Sequence, residues 1–69
     1  MTEGEYCIGI DFNPSSDPNV DEIKQLAAEL IDLVNNAGRD ERCTALAKTA
    51  FEEGAMWAVK SITKPDRHD

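Results

Sequence analysis

Apolar residues recur every three to four positions between residues 20 and 34, which is the spacing of one side of an α-helix. Asn19 precedes this stretch and Glu22 follows three positions later, so the pair predicts a capping box. Gly38 closes the stretch, and a left-handed glycine there would end the helix. The predicted apolar side consists of Val20, Ile23, Leu26, Ala27, Leu30, Ile31, Leu33 and Val34.

A second helix is predicted in the run without proline from Arg39 to Lys64, with Asp40 as its N-cap. At about 100° per residue, its apolar positions cover roughly half of the helix circumference. Because the connection between the two helices is short, we expect an antiparallel hairpin. The predicted apolar side consists of Leu46, Ala47, Ala50, Phe51, Gly54, Ala55, Trp57, Ala58 and Ile62.

Met56 and Val59 fall outside that apolar side, among polar residues. Two large apolar side chains in this position favour a second contact surface. The alternative is two scattered surface hydrophobic residues, which are common. Gly54, in the middle of the helix, costs roughly 1 kcal/mol relative to alanine, so we expect another helix or a ligand to approach it closely.

The N-terminal stretch from Tyr6 to Phe12 alternates between apolar and other residues, which favours an extended segment. An irregular arm is the alternative. The segment 13–19, Asn-Pro-Ser-Ser-Asp-Pro-Asn, is a loop signal. The predicted fold is therefore all-α, an antiparallel two-helix hairpin with an extended N-terminal arm. We divide it into the arm and Asn-Pro-Ser loop (1–18), the helical hairpin domain (19–64) and a polar tail (65–69).

Composition limits both the core and the partners of this 69-residue chain. A core of this size supplies only about 3–5 kcal/mol, so we expect self-association to add stability. Cys7 and Cys43 have no metal-ligand spacing and His68 lies in the polar tail, so neither a metal site nor a disulfide is expected. The net charge of −7 argues against duplex nucleic acid. No run is apolar enough for a membrane span or a signal sequence, which favours a cytosolic chain.

No arrangement of residues typical of catalysis is present, and we expect no enzyme activity, catalytic residue or cofactor. Binding chemistry is better represented. Lys24 follows the serine-rich loop and offers a cation for phosphate, and Ser15 offers a hydroxyl. Tyr6, Phe12 and Trp57 offer rings on which a base could stack. These are the components of a nucleotide pocket, although the loop residues also fit ordinary turn chemistry and Lys24 an ordinary surface lysine.

Four segments of the chain carry a family resemblance, and they are Phe12-Asn13-Pro14-Ser15, Val20-Asp21-Glu22-Ile23-Lys24, Ala27-Ala28-Glu29-Leu30-Ile31-Asp32 and Ala55-Met56-Trp57-Ala58-Val59-Lys60. Together they resemble small phage proteins of the anti-CBASS sponge family, whose helical-hairpin domain is shared with the anti-Thoeris sponges. The resemblance covers roughly Phe12 to Thr63, and the segment around Met56-Trp57 is its most specific part.

The resemblance implies a non-catalytic phage protein that sequesters cyclic nucleotide second messengers in the host cytoplasm and so blocks antiphage signalling. It also implies homohexamers with ligand pockets at subunit boundaries. By position, Phe12 resembles the ring that stacks on a base and Lys24 the phosphate partner, with Asn13, Pro14 and Ser15 at the rim. Tyr6 is an alternative stacking ring. Some members also bind cyclic trinucleotides at a separate site, for which Trp57 and Lys60 are the candidates.

Two alternatives remain at this point. The anti-Thoeris relatives bind cyclic ADP-ribose isomers, so the ligand could belong to that class. A helical-hairpin module that docks another protein through Met56 and Val59 would need no small ligand. A transcription regulator is disfavoured by the acidic charge and by the absence of a helix-turn-helix.

Overall fold

The computed structural model describes residues 1–65 and residue 67, and within them the chain forms three α-helices and no strand. Helix α1 is Glu3–Ile8, α2 is Pro18–Ala37 and α3 is Glu41–Thr63. The all-helical prediction and the pairing of two long helices in a hairpin are confirmed. Part of the predicted polar tail, including His68, lies outside the described residues.

The predicted extended arm is wrong, because its first half is helical. Thr2 caps α1 in a capping box: the Glu5 amide donates to Thr2 Oγ1 at 3.1 Å, and the Thr2 amide donates to Glu5 Oε1 at 2.9 Å. Gly9 ends the helix in the left-handed region, at φ 67° and ψ 58°. Capping at both ends therefore outweighs the alternating pattern of Tyr6 to Phe12.

Helix α2 begins earlier than predicted. Asp17, not Asn19, is the N-cap, and its carboxylate accepts from the Asn19 amide at 2.8 Å. Pro18 occupies the first turn, where the missing N–H costs nothing, and this places the cap immediately before it. The left-handed conformation predicted for Gly38 is also wrong: φ is −68°, and its amide donates to the Val34 carbonyl at 2.8 Å.

Asp40 is the N-cap of α3, as predicted. Its carboxylate accepts from the Cys43 amide at 2.7 Å. This hydrogen bond favours the charged form, so it lowers the pKa of the Asp40 carboxyl below its usual value. The negative charge also lies at the positive end of the helix dipole. Asp40 therefore both ends the connection and begins the second long helix.

The core between the helices is built largely from small side chains, which lets α1 lie close against α2. The Gly4 amide donates to Asp32 Oδ1 at 2.7 Å, and a Cβ on Gly4 would overlap the Ala28 carbonyl oxygen. Lys48 of α3 joins the other two helices, because its Nζ lies 2.9 Å from Glu3 Oε2 and 3.0 Å from Asn35 Oδ1. The buried apolar residues are Val20, Ala27, Ala28, Ile31 and Ala55.

Large apolar side chains remain exposed on the hairpin, and we call Leu26, Leu30, Leu33, Leu46 and Trp57 the open apolar set. Leu33 is 64% exposed and Trp57 61%. Leu30 and Leu33 of α2 line a shallow depression with Phe51 of α3. A Cβ on Gly54 would meet nothing within 4 Å, so the close contact predicted for this glycine is not made within the chain. None of the described helices combines the length and the apolar character needed to cross a membrane.

Candidate functional site

All three helices contribute to one groove of about 280 Å³. Helix α1 supplies two residues, the loop after α1 supplies Phe12, α2 supplies Lys24 and α3 supplies the rest. Within the described part of the chain, the lining is mostly apolar, with one amine and one carboxylate. A concave apolar site with a few polar groups is typical of small-molecule binding. The lining residues are Cys7, Ile8, Phe12, Lys24, Glu52, Ala55, Met56 and Val59.

Lys24 is the buried cation of this groove, and only 8% of it is exposed. Its Nζ donates to the Gly9 carbonyl at 3.0 Å and also to the Phe12 carbonyl. A buried ammonium is stable only when its donors are paired, and these carbonyls come from the end of α1 and the following loop. The hydrogen bonds of Lys24 thus connect the end of α1 and the following loop to α2. An ammonium has three donors, so one N–H is left for another acceptor.

Phe12 lies at the mouth of the groove with 72% of its surface exposed. Its amide donates to the Gly9 carbonyl at 3.0 Å, which closes a turn after α1. The Lys24 ammonium lies 5.4 Å from the centre of the Phe12 ring, within the range of a cation–π contact. The chain therefore holds an exposed aromatic ring beside a buried cation.

Asn13 and Ser15 are engaged in holding their own loop. Asn13 Nδ2 donates to the Asp17 carbonyl and to Asp21 Oδ1, both at 3.0 Å. Ser15 Oγ donates to Asn13 Oδ1 at 2.6 Å, and accepts from the Asp17 amide at 3.2 Å. Pro14 is exposed between them. These three residues shape the rim beside Phe12, but they do not line the groove.

The remaining predicted site residues lie elsewhere. Tyr6 is 74% exposed and, at about 200° around α1 from the buried Gly4, faces away from α2. Trp57 and Lys60 lie together on α3, with the Lys60 Nζ 5.1 Å from the centre of the Trp57 ring. Neither lines the groove. The structure thus brings Phe12 and Lys24 together, whereas the rings of Tyr6 and Trp57 lie outside the groove.

The sequence model of the family described as Acb2/Tad1, hairpin domain, matches residues 7–63. That span includes both long helices and all eight groove residues. The chain belongs to the Acb2/Tad1 hairpin family. The resemblance to the anti-CBASS and anti-Thoeris sponges is therefore confirmed, and membership indicates a cyclic nucleotide sponge in a family of sponges rather than enzymes. Neither the curated proteins nor the solved structures contain a match to the chain.

Six of the eight groove residues of this Acb2/Tad1 hairpin were not predicted as ligand-binding residues. Cys7 and Ile8 were missed because the arm was interpreted as extended, and the signal that would have corrected this is the Thr2-x-x-Glu5 capping box. Glu52 and Ala55 were missed because their role depends on where α1 docks. The second contact surface predicted at Met56 and Val59 coincides with one wall of the groove.

The groove of the Acb2/Tad1 hairpin is electrically balanced, although the chain as a whole carries −7. Lys24 contributes the cation and Glu52 the carboxylate. Cys7 is partly buried, and burial and the nearby charge of Glu3 raise the pKa of its thiol, which favours the protonated form. No group of metal-binding side chains occurs among residues 1–65 and 67. The chemistry available in the groove is stacking, hydrogen bonding and charge pairing.

Proposed function

We propose that this protein is a phage sponge that binds cyclic nucleotide second messengers in the host cytoplasm without cleaving them. Cyclic dinucleotides are its principal ligands and cyclic trinucleotides a further class, and their removal deprives a host antiphage effector of its activator. The observation that carries the proposal is the family match over 7–63, which spans the entire hairpin.

The proposed dinucleotide site is the groove at Phe12 and Lys24. A base stacks on the exposed Phe12 ring, a contact worth about 1–3 kcal/mol per base. The third N–H of Lys24 donates to a phosphate oxygen, while the other two donate to the Gly9 and Phe12 carbonyls. Asn13, Pro14 and Ser15 hold the rim in shape.

The proposed active form is a homo-oligomer, a hexamer by analogy with the family. Ligand pockets of drug-sized molecules start at about 300 Å³, so a groove of about 280 Å³ holds only part of a cyclic dinucleotide. A second copy would enclose the rest. The open apolar set supports association, because a second copy that covered these exposed side chains would remove apolar surface from water. Trp57 and Lys60, stacked on α3, are the proposed contacts for trinucleotides.

Chemical recovery of the ligand tests the central feature of a sponge. The protein is loaded with a cyclic dinucleotide, denatured, and the released nucleotide is analysed by liquid chromatography and mass spectrometry. We expect the cyclic form to be recovered intact. Linearised nucleotide in the released fraction would contradict the proposal and indicate a phosphodiesterase.

Phe12→Ala tests the position of the site. We expect this variant to weaken cyclic dinucleotide binding about 5- to 150-fold, because one base loses its stacking partner. Tyr6→Ala is the matched variant, since Tyr6 is equally exposed but outside the groove, and its affinity should equal that of the unmodified protein. Calorimetric titration measures both. A loss confined to Tyr6→Ala would move the stacking role to that ring.

Cyclic ADP-ribose isomers are the second candidate ligand class, favoured by the anti-Thoeris half of the family description. They present the same groups, an adenine and phosphates, to Phe12 and Lys24. Competition between a cyclic dinucleotide and a cyclic ADP-ribose isomer, followed by calorimetry, decides which class the site prefers.

A further inference from the structure

Among the residues that the structure describes, Glu52 is the one carboxylate that lines the groove with Phe12 and Lys24. It lies three residues before the buried Ala55 and four before Met56, on the side of α3 that faces the groove. Within residues 1–65 and 67 it forms no ion pair and no hydrogen bond. Its acceptor oxygens are therefore available to a ligand.

A carboxylate in a site for an anionic ligand must face away from the phosphates, since like charges repel. Lys24 is contributed by α2 and Glu52 by α3, so the cation and the carboxylate belong to different walls of the groove. The phosphate belongs at Lys24, and the group near Glu52 is then the base. An ionised carboxylate only accepts hydrogen bonds, so it selects the base with the best array of donors.

Guanine is the nucleobase whose Watson–Crick edge presents two adjacent donors, N1–H and the 2-amino group. Adenine and cytosine place an acceptor next to their amino group, and uracil has a single N–H between two carbonyls. Two parallel hydrogen bonds to one carboxylate are stronger and more selective than a single one. The wrong base would leave a carboxylate oxygen facing an acceptor, which weakens binding further.

We propose that Glu52 makes this groove selective for guanine-containing cyclic nucleotides. Its two carboxylate oxygens accept from N1–H and from the 2-amino group of a guanine stacked on Phe12, while Lys24 holds the phosphate. This rests on the proposed function and assigns a base preference to the same site.

Calorimetric titration of the purified protein with cyclic di-GMP and with cyclic di-AMP measures that preference. A bidentate base contact discriminates about 5- to 150-fold, and we expect the guanine ligand to bind more tightly by a factor in this range. Cyclic di-IMP lacks the 2-amino group and keeps N1–H, so its affinity should lie between the other two. Circular dichroism confirms that each variant below remains helical.

Glu52→Gln is the decisive variant. A glutamine amide offers one donor and one acceptor, which matches adenine and no longer matches the N1–H and 2-amino pair of guanine, so the guanine preference should disappear or reverse. Removal of a negative charge also strengthens binding of any anion, and Glu53→Gln controls for this. Glu53 is the next residue, about 100° around α3, and does not line the groove, so its variant should retain the guanine preference.

Three outcomes would overturn the assignment: equal affinity for the two dinucleotides, an unchanged ratio in Glu52→Gln, or the same shift in Glu53→Gln. The proposed function fails separately. If both ligands bind and depend on Phe12 without discrimination, only the guanine preference is refuted. If neither ligand binds, both proposals are refuted.

Discussion

Gly4 is the residue on which the docking of α1 depends, and Gly4→Ala is the substitution that tests it. The glycine is buried against the α2 backbone, and its amide donates to Asp32 at 2.7 Å. A Cβ at this position would overlap the Ala28 carbonyl oxygen and lie 2.8 Å from the carbonyl carbon. Backbone atoms cannot rotate aside as a flexible side chain can, so α1 must move away from α2.

The size of the effect follows from opposing contributions. Overpacking costs about 1–3 kcal/mol, and the hydrogen bond to a charged acceptor adds a cost if it lengthens. Alanine is a better helix former than glycine by about 1 kcal/mol, which offsets part of this. We expect a net loss of about 1–2 kcal/mol in the docking of α1. A helix of six residues is not stable alone, so undocking also unfolds it.

Hydrogen exchange of the α1 amides measures this loss directly. The Tyr6 amide, bonded to the Thr2 carbonyl at 3.0 Å, should exchange about 5 to 30 times faster in Gly4→Ala. Gly54→Ala is the matched control, because the same Cβ there meets open space within the chain and should leave α1 unchanged. Unchanged exchange of α1 in Gly4→Ala would refute the close contact between α1 and α2.

Three further predictions concern capping, pH and association. Asp40→Ala should lower the midpoint temperature of unfolding, because the Cys43 amide loses its acceptor. Asp40→Asn should lower it much less, since an asparagine side chain also accepts from this amide. Equal midpoints for Asp40→Ala and the unmodified protein in differential scanning calorimetry would contradict the cap. Lys48 lowers the pKa of Glu3, so the ion pair stabilises α1 above the ordinary pKa of Glu3 and is lost as the pH falls through the lowered value. Hydrogen exchange of the α1 amides, corrected for intrinsic rates, should therefore accelerate at acid pH, and should accelerate less in Glu3→Gln. Identical pH profiles for Glu3→Gln and the unmodified protein would exclude a stabilising ion pair between Glu3 and Lys48. The proposed interface between copies includes Gly54, whose Cβ would meet nothing within 4 Å in its own chain. Gly54→Leu should therefore dissociate the oligomer without loss of helix, because the added side chain would obstruct the neighbouring copy. An intact oligomer in analytical ultracentrifugation would place Gly54 outside the interface.

The two long helices could be predicted from the sequence because their information is local. Apolar spacing located both helices, and Asp40 identified the start of the second. The start of α2 was misplaced because Asp17 and Asn19 are both good caps, and only Pro18 between them favours the first. The helical α1 was missed because an alternating pattern over Tyr6–Phe12 was given more weight than the capping box of Thr2 and Glu5.

The groove could be predicted only in part, because it depends on contacts between distant segments. Phe12 and Lys24 were predicted as ligand-binding residues, and the structure places them in the same groove. The burial of Lys24 could not be foreseen, since its partners are carbonyls brought in by α1 and its loop. Glu52 lies 28 positions after Lys24 and shares the groove with it through the hairpin. No local sequence pattern indicates that residues so far apart in the chain line the same groove.

The most direct test of the sponge is native mass spectrometry of the purified protein. The protein is mixed with cyclic di- and trinucleotides and with cyclic ADP-ribose isomers, and one spectrum reports the number of copies and of bound ligands. We predict an oligomer that gains the mass of intact cyclic dinucleotides. A protein that gains no mass at any ligand concentration would contradict the account and leave only the hairpin fold.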